Sequence, residues 1–333
     1  MQNIVITGAA GFIGSTLANY LYKNNQKINL ILIDTLEYGN LNNLDSSIQS
    51  KLIKSNCLDL EELANIIPNE SVVFHFAGIS SLSECESDYI KSVDNNFLST
   101  VNIIEISARK KVTKFFFAST SAIYENNKIK PFLESDQTSP DLMYSYSKKM
   151  CEDYLYFRSL KKDCPPIIIT RFFNVFGYNQ NIFRKNPPLT AYLIDCVKNN
   201  TTAKIYNNDT NTKRDYIFID DLIYILVSFF EKSSSKKIDV INLTSGNLYS
   251  VEDIINILKE VSGKNIKVEF EQPQLIWSKY PLILDKITQE RIVSEVYKTS
   301  HGSNIKLKEL IGEDFNFVTM NQGLNLMLNI KND

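Results

Sequence analysis

Tyr144 and Lys148 stand four residues apart in Tyr144-Ser145-Tyr146-Ser147-Lys148, which on a helix puts them on one face, a turn apart. A lysine ammonium about 4 Å from a phenolate is worth roughly 4 kcal/mol at an effective dielectric of about 20. That is about 3 pKa units, enough to bring a tyrosine from ~10 toward ~7. A base of that strength works at neutral pH. The same spacing also decorates ordinary helix surfaces, so its surroundings decide. Ser119-Thr120-Ser121-Ala122-Ile123-Tyr124 follows the apolar run 115–118. A hydroxyl at the carboxyl end of a strand, where open α/β sheets bind ligands, can hold a substrate alcohol; an ordinary Ser/Thr-rich turn would do no chemistry.

Thr7-Gly8-Ala9-Ala10-Gly11-Phe12-Ile13-Gly14 sets glycines where a strand ends and a helix opens. Small residues there let the backbone approach a pyrophosphate, whose charge is met by free N–H groups at the helix N-terminus. The bland alternative for the run is a mere tight turn. Asp34 closes the next apolar run twenty residues after Gly14, where an acid accepts hydrogen bonds from ribose hydroxyls. Its charge would repel a 2′-phosphate, so NAD is expected over NADP; the bland alternative is a solvated strand-end acid. His75 and His301 are the only histidines, which leaves little for a histidine triad or metal centre, and no metal site is expected. Cys57, Cys85, Cys151, Cys164 and Cys196 are odd in number and form no CxxC pair, as in a reduced, cytoplasmic protein. With 36 Lys and Arg against 38 Asp and Glu, a net charge of −2, a nucleic-acid partner is not expected.

These groups need a scaffold, and 333 residues with 44% hydrophobic and 22% charged side chains can bury a large core. Short β-branched or aromatic runs at 3–7, 28–33, 72–76, 114–118 and 167–171 read as buried parallel strands, with helical spacing at 12–22, 60–66, 95–109 and 144–160 between them. Such alternation predicts an α/β fold with a Rossmann-type doubly wound parallel sheet. Past Gly177 the rhythm gives way to an Asn-rich stretch at 178–188, a helix at 189–199 and a polar loop at 207–213. Strands at 215–219 and 239–243 then flank a helix at 221–232, and an amphipathic helix follows at 251–261. The expected division is a dinucleotide-binding domain of 1–177 plus about 215–245, and a smaller mixed α/β lobe of about 178–214 plus 246–333, with 233–237 as a polar linker. No basic segment precedes the first apolar run, and the longest apolar stretch, 222–230, is too short to span a bilayer. Neither signal peptide nor membrane anchor is expected.

Taken in order, these residues resemble the extended short-chain dehydrogenase/reductases, in particular the NAD-dependent nucleotide-sugar epimerase/dehydratase group. The resemblance rests on GxxGxxG at Gly8, Gly11 and Gly14, on Asp34, Asp59-Leu60 and His75-Phe76-Ala77-Gly78, and on Asn96, Tyr144 and Lys148. It continues through Arg171-Phe172-Phe173-Asn174-Val175-Phe176-Gly177 and Lys213-Arg214-Asp215-Tyr216 ahead of Asp220-Asp221, and loosens toward the C-terminus. It implies NAD in the first lobe, a nucleotide-diphosphate sugar in the second, and hydride transfer between a sugar carbon and the nicotinamide. By the same resemblance Tyr144 takes the sugar hydroxyl proton, Lys148 binds the nicotinamide ribose and depresses the tyrosine pKa, and Thr120 orients the reacting hydroxyl. Gly8, Gly11, Phe12, Ile13, Gly14, Asp34, Asp59, Leu60, Phe76, Ala77, Gly78, Asn96, Ser119 and Phe173 would contact or line the cofactor, with Asp59 and Leu60 at the adenine. Thr120, Ser121, Asn174, Leu189, Tyr206, Arg214 and Arg291 would meet the substrate. Arg214 and Arg291 are implied at the diphosphate; Tyr206 either packs on the base or is a core tyrosine. His75, at a strand end, is read as structural.

Ser121 and Ala122 stand where the 4,6-dehydratases of this group carry Asp-Glu, and Ala122 cannot move a proton. Glu125 replaces the glycine that follows Tyr124, and Ser99 replaces a helix glycine. The expectation is therefore oxidation at C4 of the sugar, as a 4-epimerase through a transient 4-keto sugar. A net C4 dehydrogenase or 4-keto-sugar reductase is the alternative, with 4,6-dehydration and a non-catalytic dinucleotide sensor behind it. A homodimer through a four-helix interface of 95–109 and 144–160 is implied, with Met150, Tyr154, Leu155 and Phe157 offering apolar surface that their own sheet could also claim.

Overall fold

The computed structural model describes residues 1–24, 27–128, 130–232 and 236–329, so residues 233–235 of the expected linker lie outside the described residues. The strands are β1 (Gln2–Thr7), β2 (Ile28–Asp34), β3 (Leu52–Lys54), β4 (Val72–His75), β5 (Lys114–Thr120), β6 (Ile167–Phe172), β7 (Asn174–Phe176), β8 (Ala203–Ile205), β9 (Arg214–Phe218), β10 (Ile238–Leu243), β11 (Leu248–Tyr249) and β12 (Val268–Phe270). The α-helices are α1 (Phe12–Asn24), α2 (Leu60–Ile66), α3 (Leu82–Ser87), α4 (Tyr89–Ser92), α5 (Ser99–Arg109), α6 (Met143–Ser159), α7 (Leu189–Asn199), α8 (Ile219–Glu231), α9 (Val251–Ser262), α10 (Pro281–Leu284), α11 (Gln289–Val296), α12 (Ile305–Ile311) and α13 (Met320–Asn329). None of these helices is long and apolar enough to cross a membrane.

The chain divides into two units, Met1–Asn127 with Glu134–Phe172 and Ile223–Asn242, and Lys128–Leu133 with Phe173–Leu222 and Leu243–Asp333. The first holds a seven-stranded sheet in the order β10-β6-β5-β4-β1-β2-β3. Pairings from β3 across to β6 are all parallel, with Thr7 opposite both Ile33 and His75, and His75 opposite Phe117. This is the Rossmann order, and it reverses between β1 and β4, the point at which such sheets bind ligands. Side-chain alternation explains why these runs are strands. Odd-numbered residues Val5, Ile31, Ile33, Val73, Phe115, Phe117, Ile167 and Ile169 share one core with Leu63, Ile103, Ile106 and Leu155 of the covering helices. Even-numbered Ile4, Ile6, Leu32, Phe74 and Phe116 are also buried, with Phe74 and Phe116 stacked at 4.3 Å. Helices on both faces thus force nearly continuous apolar strands.

The helices expected at 60–66 and 189–199 form with those bounds. The one expected at 95–109 instead begins with a π-helical turn, Val93–Leu98, continuous with α5. The strand expected to end at Ala118 runs on to Thr120, so Ser119 and Thr120 are its last residues rather than part of the following turn. Leu155 is fully buried in the subunit's own core, which corrects its expected place on a partner surface. It lies seven residues past Lys148, on the inward face of α6. Tyr154 and Met150 are half-buried, and Phe157 is exposed.

The second unit holds a three-stranded sheet, β11-β9-β7, and the pair β12-β8. Arg214–Phe218 pairs with Asn174–Phe176 and Leu248–Tyr249. At Gly177 φ is +156°, and a Cβ would lie 2.3 Å from Ile219 Cγ2, so a side chain there would collide with the start of α8.

Candidate active site

The dinucleotide half of the site is built from β1, α1 and β2. Gly8 has φ +68°, and a Cβ there would meet Ala77 N at 2.8 Å; a Cβ on Gly14 would fall 2.2 Å from Gly8 O. The turn can therefore close only around hydrogen, which is the cradle a pyrophosphate requires. Ser15 N–H is the first amide of α1 to bond back along the chain, to Gly11 O at 3.0 Å. That leaves the amides of Phe12, Ile13 and Gly14 at the helix mouth, where the dipole favours an anion. The Asp34 carboxylate accepts from Ala10 N at 2.9 Å and Leu36 N at 2.8 Å, one bond to each oxygen. A carboxylate accepts up to about four bonds, so this geometry both orients Asp34 and leaves lone pairs for a ribose diol. Asp59 caps α2 by accepting from Glu62 N at 2.9 Å, placing Leu60, which is exposed, at the start of that helix. Phe76, Ala77 and Gly78 follow β4, with Gly78 exposed.

Asn96 is wholly buried. It accepts from Ile79 N at 2.7 Å and donates to Ile79 O at 3.2 Å and to Ser147 Oγ at 2.9 Å. Its side chain thus ties the loop after β4 to α6. His75 is fully buried between Thr7 Oγ1 at 2.7 Å and Thr100 Oγ1 at 3.1 Å, and burial, with Lys148 nearby, pushes its pKa down to about 3. It is a neutral cross-tie between β1, β4 and α5.

The residues expected to do the chemistry lie on β5 and α6. Tyr144, Lys148, Cys151 and Leu155 follow helical spacing on α6, and the last three are buried inward. Lys148 Nζ lies 4.9 Å from the ring centroid of Phe117, three residues before Thr120. Burial pushes the Lys148 ammonium below its ordinary pKa, partly offset by the neighbouring thiols of Cys151 and Cys85. No ion pair to Lys148 exists among the described residues, so its charge is held in a poorly screened place that favours an anion or a hydroxyl dipole beside it. Tyr144 is half-buried in the first turn. Thr120 Oγ1 accepts from Ala122 N at 3.1 Å, capping the 3-10 turn Ser121–Tyr124. Its hydroxyl proton stays available to a second partner. Ser121 opens that turn. Ser119 donates to Glu152 Oε1 at 2.5 Å, so its hydroxyl is engaged within the protein.

In the second unit, Arg214 Nη2 donates to Glu295 O at 2.7 Å, and Arg291 Nη1 lies 3.2 Å from Glu295 Oε2, with Lys298 Nζ 3.6 Å from the same oxygen. Two cations, from α11 and the segment beyond it, therefore meet at the Glu295 carboxylate, while Arg214 of β9 holds the same residue through its backbone carbonyl. Asn174 donates to Asp215 O at 2.8 Å and Ser300 Oγ at 3.2 Å. Phe173 is buried against Gly302, where a Cβ would fall 2.4 Å from its ring. Leu189 starts α7. Tyr206, just past β8, is half-buried; burial and the carboxylate of Glu271 raise its pKa.

Sequence reasoning did not single out the groups that hold α6 in place. Glu152, four residues past Lys148, forms a two-pronged pair with Arg171, Nε to Oε1 at 3.0 Å and Nη2 to Oε2 at 2.7 Å. Arg171 Nη1 donates onward to Tyr124 Oη at 2.6 Å and Glu134 O at 3.1 Å. The i+4 spacing from Lys148 to Glu152 and an arginine closing an apolar strand were the signals available.

A seven-stranded sheet in the Rossmann order, with a glycine turn at the mouth of α1 and an acid closing β2, is the architecture of a dinucleotide-binding protein. The chain belongs to the NAD-dependent epimerase/dehydratase family, whose model matches residues 4–244. It is 34% identical over 245 residues to a dTDP-D-glucose 4,6-dehydratase of Dictyostelium discoideum, a match spanning 67% of this chain and 54% of that one. It is 29% identical to an ADP-L-glycero-D-manno-heptose-6-epimerase of Brachyspira hyodysenteriae, over 96% of this chain and 95% of that one. The UDP-glucose 4-epimerase of Thermotoga maritima, solved with UDP-glucose, superposes with a TM-score of 0.82 at 25% identity, covering 98% and 97% of the two chains.

Proposed function

We propose that the protein is a nucleotide-diphosphate-sugar 4-epimerase. The observation that carries this reading is the make-up of the turn after β5. Thr120 ends the strand, and the two side chains that follow it, Ser121 and Ala122, carry no carboxyl group. Dehydration across C5 and C6 needs a second proton-transfer pair, which Ser121 and Ala122 do not supply, whereas epimerisation at C4 needs only one proton moved at one hydroxyl. NAD, when bound, supplies the acceptor and donor of hydride. Thr120 holds the C4 hydroxyl, Tyr144 takes its proton and later returns it, and Lys148 stabilises the phenolate and bonds the nicotinamide ribose. Asp34 selects the unphosphorylated ribose. In the second unit Arg214 and Arg291 neutralise the diphosphate, with Asn174, Leu189 and Tyr206 completing the nucleotide contacts. The Thermotoga 4-epimerase supports the reading at the level of fold and family. A homodimer through α5 and α6, with Phe157 at its surface, belongs to the same proposal.

The test is incubation of the purified protein with UDP-, GDP-, dTDP- and CDP-sugars, with and without added NAD, followed by NMR and absorbance at about 340 nm. A C4 epimer without net absorbance change is expected. Stoichiometric NADH with a 4-keto sugar would replace this reading with the net dehydrogenase, and loss of the C6 hydroxyl would replace it with a dehydratase.

A further inference from the structure

We propose that Glu125 is a positioning residue for the reaction assigned above, on which this inference rests. It fastens the turn that follows Thr120 to the first turn of the helix that carries Tyr144 and Lys148. The helix cannot do this for itself. Its N-cap position is Leu142, which has no side-chain acceptor, and its first turn contains no acid. Two carboxylates arrive from elsewhere in the chain. Glu125 Oε2 accepts from Asp141 N at 2.9 Å, from Leu142 N at 3.2 Å and from Ser145 Oγ at 2.7 Å. Glu86, at the end of α3 and buried, accepts from Met143 N. Helix entry is thereby satisfied by hydrogen bonds and by negative charge at the positive end of the dipole.

What sets Glu125 apart from Glu86 is where it is anchored. Thr120 Oγ1 caps the 3-10 turn Ser121–Tyr124 from one end, and Glu125 closes it from the other through its own N–H to Ala122 O at 3.1 Å. Four residues of rigid turn therefore separate the hydroxyl expected to hold the substrate from the carboxylate that grips the residues flanking Tyr144. Thr120 and Tyr144 lie on different elements, and Glu125 fixes the offset between them. The residue is a departure of this chain, since the family pattern has glycine after Tyr124, and a glycine offers no acceptor to the helix.

Three variants test the assignment, with kcat, KM for the sugar nucleotide, NAD content and amide exchange at Asp141 and Leu142 measured on each holoenzyme. E125A and E125G are expected to lower kcat about 10- to 100-fold, the scale of a small misplacement of reacting groups. KM and NAD content should stay within about twofold of wild type, and exchange at the two amides should quicken. E125Q keeps an oxygen that accepts the same two amides, so its kcat should return to within about threefold of wild type. Wild-type kcat in E125G would overturn the proposal. So would a loss in which KM rises and NAD is released in step with kcat and E125Q gives no rescue, because Glu125 would then only hold the fold together. If the wild-type protein turns over no sugar of the panel, the assigned reaction fails. The tether is then judged by exchange, where unchanged protection at Asp141 and Leu142 in E125G overturns it.

Discussion

Replacing Arg171 with methionine strands a carboxylate. Glu152 and Arg171 have side chains only 2% and 5% exposed, and they meet through two hydrogen bonds at 3.0 and 2.7 Å. Burial works against the Arg171 charge, yet Glu152 outweighs it and holds the guanidinium above its ordinary pKa. Arg171→Met leaves Glu152 buried with Ser119 as its remaining hydrogen-bond donor, at a cost of about 3–5 kcal/mol; Glu152→Met strands the guanidinium to a similar degree. The double variant removes both charges. It leaves Ser119, Tyr124 and Glu134 O each short of a partner, and at about 1 kcal/mol per ordinary bond it should lose roughly 2–3 kcal/mol, less than either single variant. Urea titrations of the four proteins, followed by circular dichroism, give the cycle. In thermal melts each single variant should fall by about 6–20 °C. A double variant whose loss equals the sum of the singles would refute the coupling. Because Ser119 precedes Thr120 and Glu152 follows Lys148 by one turn, activity in the surviving variants should drop with the pair.

Lys148→Met should move the acid limb of the kcat–pH profile upward by about 3 units, and cut the rate at pH 7 about a thousandfold, if the ammonium is what lowers the tyrosine pKa; an unmoved limb refutes that role. Asp34→Ser should bring NADP affinity, read by isothermal titration, close to that of NAD, since only the carboxylate opposes a 2′-phosphate; an unchanged preference refutes it. Arg214→Ala should raise KM for the sugar nucleotide about 10- to 150-fold, the worth of a charge-assisted bond, with NAD affinity unchanged. Asp215 is fully buried and burial raises its pKa to about 6. Between about pH 4 and 6 the native state therefore holds a proton the unfolded state has lost. Its stabilising share is present below about 4 and lost as pH rises through 6, up to about 3 kcal/mol. Stability of Asp215→Asn relative to wild type should accordingly grow from pH 4.5 to pH 7.

How legible each part was depended on how far along the chain its cause lay. The Tyr144-Lys148 pair and the Gly8–Gly14 turn are local, four and six residues across, and the strands announce themselves through apolar runs that both helix layers demand. Helix α3 and α4 were passed over because their faces are short and polar, although Ser81 and Asp88 cap them through Glu84 N and Lys91 N, a signal present in the sequence. Strand β9 was readable as a strand, but its partners β7 and β11 lie tens of residues away on either side, and nothing local says which sheet an apolar run joins. The capping carboxylates are the extreme case. Glu86 reaches Met143 across 57 residues and Glu125 reaches Ser145 across 20, so no window around Tyr144 contains the groups that hold it.

The charges buried along α6 single out one residue. Arg158 is answered by Glu105 at 2.6 Å and Asp163 at 3.1 Å. Glu152 is answered by Arg171, and the open amides at the helix entry by Glu86 and Glu125. Lys148, 5% exposed, has an aromatic face beside it and no ion pair among the described residues. A buried cation costs free energy unless something compensates it, and among the described residues every other ion on the same helix has its counter-charge. In the reaction proposed above, a phenolate on Tyr144 and the hydroxyls of a dinucleotide ribose would supply that compensation. The unbalanced lysine is thus the point at which packing gives way to chemistry.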